Sequence, residues 1–221
     1  MVTDPTDVTL ASYEEGVEAY CASSPVTVAP AVASLLDAVV QRVPGGSVLE
    51  LGSGPGREAA YLESRGLTVE RTDACLAFVD QLRGQGHAAR VLDVRTAELG
   101  GPFDAVLANA VLLHLARDDF RRAVAACHAA TREGGLLALT LKEGEGEAWS
   151  TAKLDAPRWF VYWRANDLRD VLENVGWQVL QVDRVAGRYE PWLHALCQRS
   201  RDSDDEDLAA LEGRASGAVS A

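Results

Sequence analysis

Four short groups of residues have the types and spacing to hold a small charged ligand. The first is Glu50-Leu51-Gly52-Ser53-Gly54-Pro55-Gly56, a carboxylate followed by three alternate glycines. Glycines at such a turn let backbone N–H groups approach a ligand that side chains would block, and positive φ costs them little. Where the turn leads from a strand into a helix, those N–H groups and the positive helix end converge on one spot. The second is Thr72-Asp73-Ala74, where a carboxylate can accept hydrogen bonds from both hydroxyls of a ribose. The third is Leu92-Asp93-Val94, and the fourth is the run Phe103 to Leu115, which carries Asn109, Ala110 and His114.

Two cofactor chemistries compete for the glycine loop. A dinucleotide loop has the form G-x-G-x-x-G/A, whose third small residue lets helix pack on strand. Counted from Gly52 and Gly54, that position is Arg57, a poor fit for a nicotinamide cofactor. The spacing here is G-x-G-x-G with Glu50 ahead, whereas an acid like Asp73 suits either cofactor.

Chemistry beyond the loop rests on fewer residues. His114, five positions beyond Asn109, is the best-placed general base, and the same residue also reads as a structural histidine at a helix start. The other histidines, His87, His128 and His194, show no metal-ligand spacing with it, so no metal is expected. From Lys142 to Trp163 the chain is glycine-rich and then aromatic, a long loop suited to an acceptor pocket. In it, Arg158 can clamp an acceptor carboxylate, and Tyr162 can orient or polarise a nucleophile.

These residues need elements to place them. Residues 1–10 read as polar and irregular, and Tyr13, Val17 and Tyr20 recur at helical spacing within Ala11 to Cys21. A second helix starts near Pro30 and stops at Pro44-Gly45-Gly46. Val48 to Leu51, Leu67 to Thr72, Ala88 to Leu92, Phe103 to Ala108 and Leu136 to Leu141 read as five strands. Helices fall between them: one after the glycine loop, one over Leu76 to Leu82, and one over Asp118 to Thr131 that Gly134-Gly135 follows. Such alternation builds a parallel sheet with helices on both faces, and ligands then sit beyond the carboxyl ends of the strands. All four groups lie at such ends. A helix over Asn166 to Val175 precedes two β-rich runs, Trp177 to Val185 and Trp192 to Cys197, which suit an antiparallel hairpin.

The chain has 221 residues, 21 Lys and Arg against 33 Asp and Glu, and a formal net charge of −12. A chain this acidic is repelled by phosphate backbones, which argues against a nucleic-acid partner. Cys21, Cys75, Cys127 and Cys197 are widely spaced, as expected for reduced thiols in the cytoplasm. No apolar run is long enough to span a bilayer and no secretory signal is evident, so no membrane association is expected.

The four motifs in order, ELGSGPG, TDA, LDV and FDAVLANAVLLHL, resemble those of class I S-adenosylmethionine-dependent methyltransferases, and the likeness runs from about Tyr13 to Cys197. It implies a three-layer α/β Rossmann-like fold with a mostly parallel seven-stranded sheet ending in an antiparallel hairpin. The domain would occupy residues 1–199, with 11–45 as a helical lid segment and 200–221 as an acidic, disordered tail. The implied cofactor is S-adenosyl-L-methionine and the implied acceptor a small organic molecule. By this likeness Gly52, Gly54 and Gly56 admit the cofactor's methionine portion, and Glu50 organises the loop and approaches its amino group. Asp73 binds the ribose with Ala74 near the adenine, Asp93 and Val94 face the adenine, and Asn109 and Ala110 flank the sulfonium. Tyr13 and Tyr20 match aromatic positions of a helix that closes over the cofactor. Two other readings stay open, a nicotinamide-dependent oxidoreductase and a non-catalytic cofactor-binding module.

Overall fold

The computed structural model describes residues 4–200. Two helices, α1 (Pro5–Ser23) and α2 (Pro30–Arg42), lead into β1 (Ser47–Glu50). Strand–helix alternation follows through α3 (Arg57–Glu63), β2 (Thr68–Asp73), α4 (Leu76–Gly84), β3 (Ala89–Val91) and β4 (Phe103–Asn109). A single helical turn, Leu112–His114, precedes α5 (Arg117–Ala130) and β5 (Thr131–Lys142). Next come β6 (Glu147–Ser150), β7 (Arg158–Val161), α6 (Ala165–Asn174), β8 (Trp177–Val185) and β9 (Trp192–Arg199).

Seven strands form one sheet in the order β3-β2-β1-β4-β5-β9-β8. β1 pairs in parallel with both β2 and β4, and β9 runs antiparallel to both of its neighbours. The chain works outward from β1 to β3 and then returns to β4, so strand order reverses between β1 and β4. Their carboxyl ends open the crevice.

Side-chain alternation along the central strands fills both layers. Val48, Ala105, Leu107, Leu136 and Ala138 pack with Leu35, Leu36 and Val39 of α2 and with Ala59 and Leu62 of α3. The intervening Leu49, Val106, Ala108, Leu137 and Leu139 pack on the other face with Phe120 and Val124 of α5 and Leu168 and Leu172 of α6. Period two in the strands and near-period four in the helices are the physical basis of this three-layer fold. Burying each large apolar side chain contributes roughly 1.5–3 kcal/mol. A third, smaller cluster seats α1 on α4 through Val17, Cys75 and Phe78, with Tyr13, Tyr20 and Cys21 around it.

The structure departs from the sequence reading in three places. Residues 1–10 are not irregular where described: α1 begins at Pro5, capped by Asp4, whose carboxylate accepts the Thr6 N–H at 2.8 Å. β5 starts at Thr131, ahead of Leu136, and Gly134-Gly135 lie inside it at an irregularity opposite Phe103–Ala105. A Cβ on Gly135 would stand 2.8 Å from the Asp104 carbonyl oxygen, so the glycine admits close strand approach rather than ending a helix. The stretch Lys142 to Trp163 is not one loop, because β6 and β7 pair as an antiparallel ribbon, Glu147 opposite Val161 and Ser150 opposite Arg158. The proposed tail, 200–221, lies outside the described residues apart from Ser200. Among the described residues no helix is long and apolar enough to cross a membrane.

Candidate active site

The glycine loop is shaped for close approach. Gly52 has φ +63°, and a Cβ there would meet Val111 Cγ2 at 2.4 Å. Gly54 has φ +49° with open space where a side chain would stand, so its backbone faces the cavity directly. Gly56 caps α3 and turns away from the cavity lining. The cavity encloses about 970 Å³ including its open mouth, and Gly52, Gly54, Asp73, Asp93 and Asn109 on its wall come from four strand ends.

Asp73 does more than wait for a ribose. Its Oδ2 accepts the Gly54 N–H at 2.9 Å and its Oδ1 accepts the Cys75 N–H at 2.9 Å. The carboxylate thus pins the loop to the end of β2 and keeps lone pairs for further donors. Burial pushes its pKa up to about 6, against the pull of those backbone N–H groups. Glu50 lies behind the loop, not on the cavity wall, and is 2% exposed with Oε2 unpartnered. Burial drives its pKa up to about 8; Ser53 opposes the shift, and nearby Glu58 and Asp73 add to it. Asn109 donates from Nδ2 to Glu58 Oε1 at 3.0 Å and accepts from Thr140 Oγ1 at 2.7 Å, so its amide is fixed at both ends. Ala110 beside it takes φ +57°, a left-handed conformation that alanine rarely adopts, with its N–H held by Thr140 Oγ1 at 2.9 Å.

Asp93 and Val94 line the cavity with Ala74, but the Asp93 carboxylate is turned onto Arg95, at 2.6 Å to Nη2. Burial works against its ionisation, yet the Arg95 hydrogen bonds prevail and hold its pKa below the ordinary value. Arg95 also pairs with Asp7 at 2.8 Å, which ties α1 to the end of β3. Both Asp93 side-chain oxygens are therefore engaged by Arg95.

Tyr13 and Tyr20 project from α1 into the cavity wall, their rings 5.6 Å apart edge to face, with Phe78 5.4 Å from Tyr20. His114 is buried, and its Nδ1 lies 2.5 Å from the Trp159 carbonyl oxygen. That carbonyl can only accept, so the proton sits on Nδ1 and leaves Nε2 to accept from the Tyr13 hydroxyl at 3.1 Å. Burial lowers the His114 pKa to about 4, with Arg158 and Lys142 adding to the shift and the Trp159 carbonyl opposing it. His114 is thus not a free base, since both ring nitrogens are taken. Arg158 is buried on β7, and its Nη1 donates to the Tyr13 oxygen at 3.3 Å, one shell behind the cavity wall. Tyr162 does not reach the cavity. Its ring packs over Gly144, and its backbone holds Arg117 and Gly146, so it is not placed for the orienting role expected of it. Lys142 and Glu143 are likewise spent on ion pairs with Glu190 and Arg184.

The sequence reading missed Glu58, Phe78, Thr6 and Thr9, all on the cavity wall. Glu58 carried a signal: an acid in the first turn after the glycines, on the face where α3 packs. Thr6 and Thr9 carried none, because nothing local distinguishes them from surface threonines. Among the described residues no group of three His, Cys, Asp or Glu side chains is placed to hold a metal ion.

A mostly parallel sheet whose reversed strand is β9, with a glycine loop and acids at successive strand ends, defines a methyltransferase-type Rossmann-like domain. Residues 27–182 match the family model described as a methyltransferase domain, and the chain belongs to that family. Solved structures of the same fold include the 1,6-didemethyltoxoflavin N1-methyltransferase of Burkholderia thailandensis, with its 1,6-didemethyltoxoflavin and S-adenosylhomocysteine bound. It is 20% identical at a TM-score of 0.68, over 89% of this chain and 87% of that one. The CcbJ methyltransferase of Streptomyces caelestis is 14% identical at 0.69, over 88% and 99%. The [4+2]-cyclase SpnF is 15% identical at 0.66, over 90% and 96%, so the fold by itself does not name the reaction. No curated protein sequence is significantly similar to the chain.

Proposed function

We propose that this protein transfers the methyl group of S-adenosyl-L-methionine to a small organic acceptor. The observation that carries the reading is the acid-backed glycine cradle: Gly54 open to the cavity, Asp73 tied to its N–H, and Glu50 Oε2 buried without a partner. A cationic cofactor held by the loop in front of Glu50 would favour its ionised form. The toxoflavin methyltransferase, with S-adenosylhomocysteine and an aromatic heterocycle bound on the same fold, supports both the cofactor class and the acceptor size.

When bound, the cofactor supplies an electrophilic methyl on sulfur, so the protein's task is to orient a nucleophile and exclude water. Asp73 would hold the ribose, Glu50 and Glu58 would offset the positive charges, and Ala74 and Val94 would border the adenine. Asn109 and Ala110 would stand beside the sulfonium, with Asn109 aiming Glu58. On the acceptor side, the Tyr13 proton points to His114 Nε2 and its oxygen accepts from Arg158 Nη1, so the remaining lone pair of the phenol oxygen would take a hydrogen bond from an X–H group. His114 acts through Tyr13 by fixing that polarity. Four free cysteines support a reducing compartment, and we place the protein in the cytoplasm.

The test is ligand-induced stabilisation. S-adenosylhomocysteine at about a hundred times its dissociation constant should stabilise the protein by ~2.7 kcal/mol, and NADH should not. Asp73→Ala should abolish most of that shift. A shift with NADH alone, or none with either ligand, overturns the assignment.

A further inference from the structure

Among the described residues Arg158 is a charge without a counter-charge. It is 6% exposed, and among the same residues neither its Nε nor its Nη2 has a hydrogen-bond partner. Among the described residues no carboxylate comes within 4.0 Å of its guanidinium, and its neighbours are ring faces: Phe160 at 5.3 Å and Tyr13 at 5.7 Å. Buried guanidinium groups are normally paired, because an aromatic face offsets only part of the desolvation. The free Nε–Nη2 edge is the planar, two-donor edge that fits a carboxylate.

Two more cations stand on the same side. Lys153, on the turn between β6 and β7, lies 3.5 Å over the Tyr20 ring and donates to Ser24 Oγ at 3.0 Å. Arg57 lines the cavity, with a buried Nε that has no partner. Partial burial, then the charges of Arg57 and Arg158, lower the Lys153 pKa to about 8. The acid facing this group is Glu58, already shared between Arg57 at 3.5 Å and the Asn109 amide. A local excess of positive charge, in a chain of net charge −12, lies against the Tyr13 and Tyr20 rings behind the cavity wall.

We propose that Arg158 and Lys153, with Arg57 at the rim, form a subsite for a carboxylate on the acceptor, adjoining the cavity behind Tyr13 and Tyr20. This rests on the methyl-transfer reading and names the acceptor class: a small acid whose nucleophilic atom reaches Tyr13 while its carboxylate neutralises Arg158.

The probe is a set of matched small aromatic acids and their primary amides, including benzoate with benzamide and 4-hydroxybenzoate with 4-hydroxybenzamide. Binding to protein saturated with S-adenosylhomocysteine is followed by saturation-transfer NMR. Acids should bind about tenfold tighter than their amides. Arg158→Met should erase the preference, and Arg158→Lys should retain part of it. Should Arg158→Met fail to fold, Lys153→Met on its exposed turn decides, with a reduced preference expected. Wild-type protein that shows no acid preference, or a preference unchanged in whichever variant decides, overturns the subsite. So does a tenfold loss of S-adenosylhomocysteine affinity in Arg158→Met, which would assign the charge to the cofactor's own carboxylate. Wild-type protein that binds no S-adenosylhomocysteine fails the methyl-transfer reading instead, and that result is read separately from the acid preference.

Discussion

At the scale of single residues, Glu50 sets the sharpest expectation. With its pKa near 8 it is mostly protonated at neutral pH, and a cationic ligand held by the loop in front of it favours the carboxylate. Binding of S-adenosylmethionine without acceptor should therefore release protons at pH 7. Calorimetric titration in two buffers of different ionisation enthalpy measures that release. Glu50→Gln should remove it, and equal apparent enthalpies in both buffers for the wild type would rule it out. That Gly52, Gly54 and Asp73 reach the cavity was legible in the sequence, because each stands at or just beyond the carboxyl end of a strand. The sequence did not disclose that Asp93 faces Arg95 or that His114 has both nitrogens occupied. Those outcomes depend on contacts with Arg95 and Trp159 whose geometry no local spacing encodes.

Elements tell a similar story at longer range. α1 covers the cavity through polar side chains that find backbone partners far along the chain. Thr6 Oγ1 donates to the His114 carbonyl at 2.9 Å, Ser12 Oγ donates to the Pro157 carbonyl at 2.7 Å, and Thr9 Oγ1 accepts the Trp159 N–H at 2.9 Å. Such a helix buries threonines and serines as readily as leucines, so its first two turns read as surface. The Asp4-Pro5 pair was the legible signal, a side-chain cap followed by proline at the first helical position. β6 was hidden for another reason: its side chains are largely exposed and the glycines before it suggest a loop. Replacing Thr9 by Val keeps the shape and strands the Trp159 N–H, which should cost about 1–3 kcal/mol. Urea unfolding would show the loss as a lower midpoint, and an unchanged midpoint would mean that α1 is held by its apolar contacts alone.

For the molecule as a whole, the buried acids give its ligand-free form a dependence on pH. Glu50 has a folded pKa raised to about 8 from an ordinary 4.5, so its contribution to stability is full below 4.5 and is lost as pH rises through 8. Asp73, raised to about 6, has lost its share before then. His114 works the other way, because a folded pKa lowered to about 4 contributes above 6.5 and is lost as pH falls toward 4. Between pH 8 and 6.5 Glu50 is left in control, and the melting temperature of the ligand-free protein should rise as pH falls. Scanning calorimetry across that window tests this, with Glu50→Gln expected to flatten the curve and a wild-type curve already flat counting against it. The three-layer sheet was legible at this scale because alternation in β1, β4 and β5 matches helix faces on both sides.

The place of β9 carries a consequence for how the chain assembles. Although it is the last strand among the described residues, it lies inside the sheet, between β5 and β8. Until residues 192–199 arrive, β5 has one open edge, and that edge belongs to the most apolar strand, Leu136 to Leu141, fully buried in the finished fold. The residues that line the cavity all precede residue 116, yet the sheet beneath them closes only with β9. A nascent chain thus holds its cavity lining early and its sticky edge late, so the interval between them is when it is most exposed to wrong pairing.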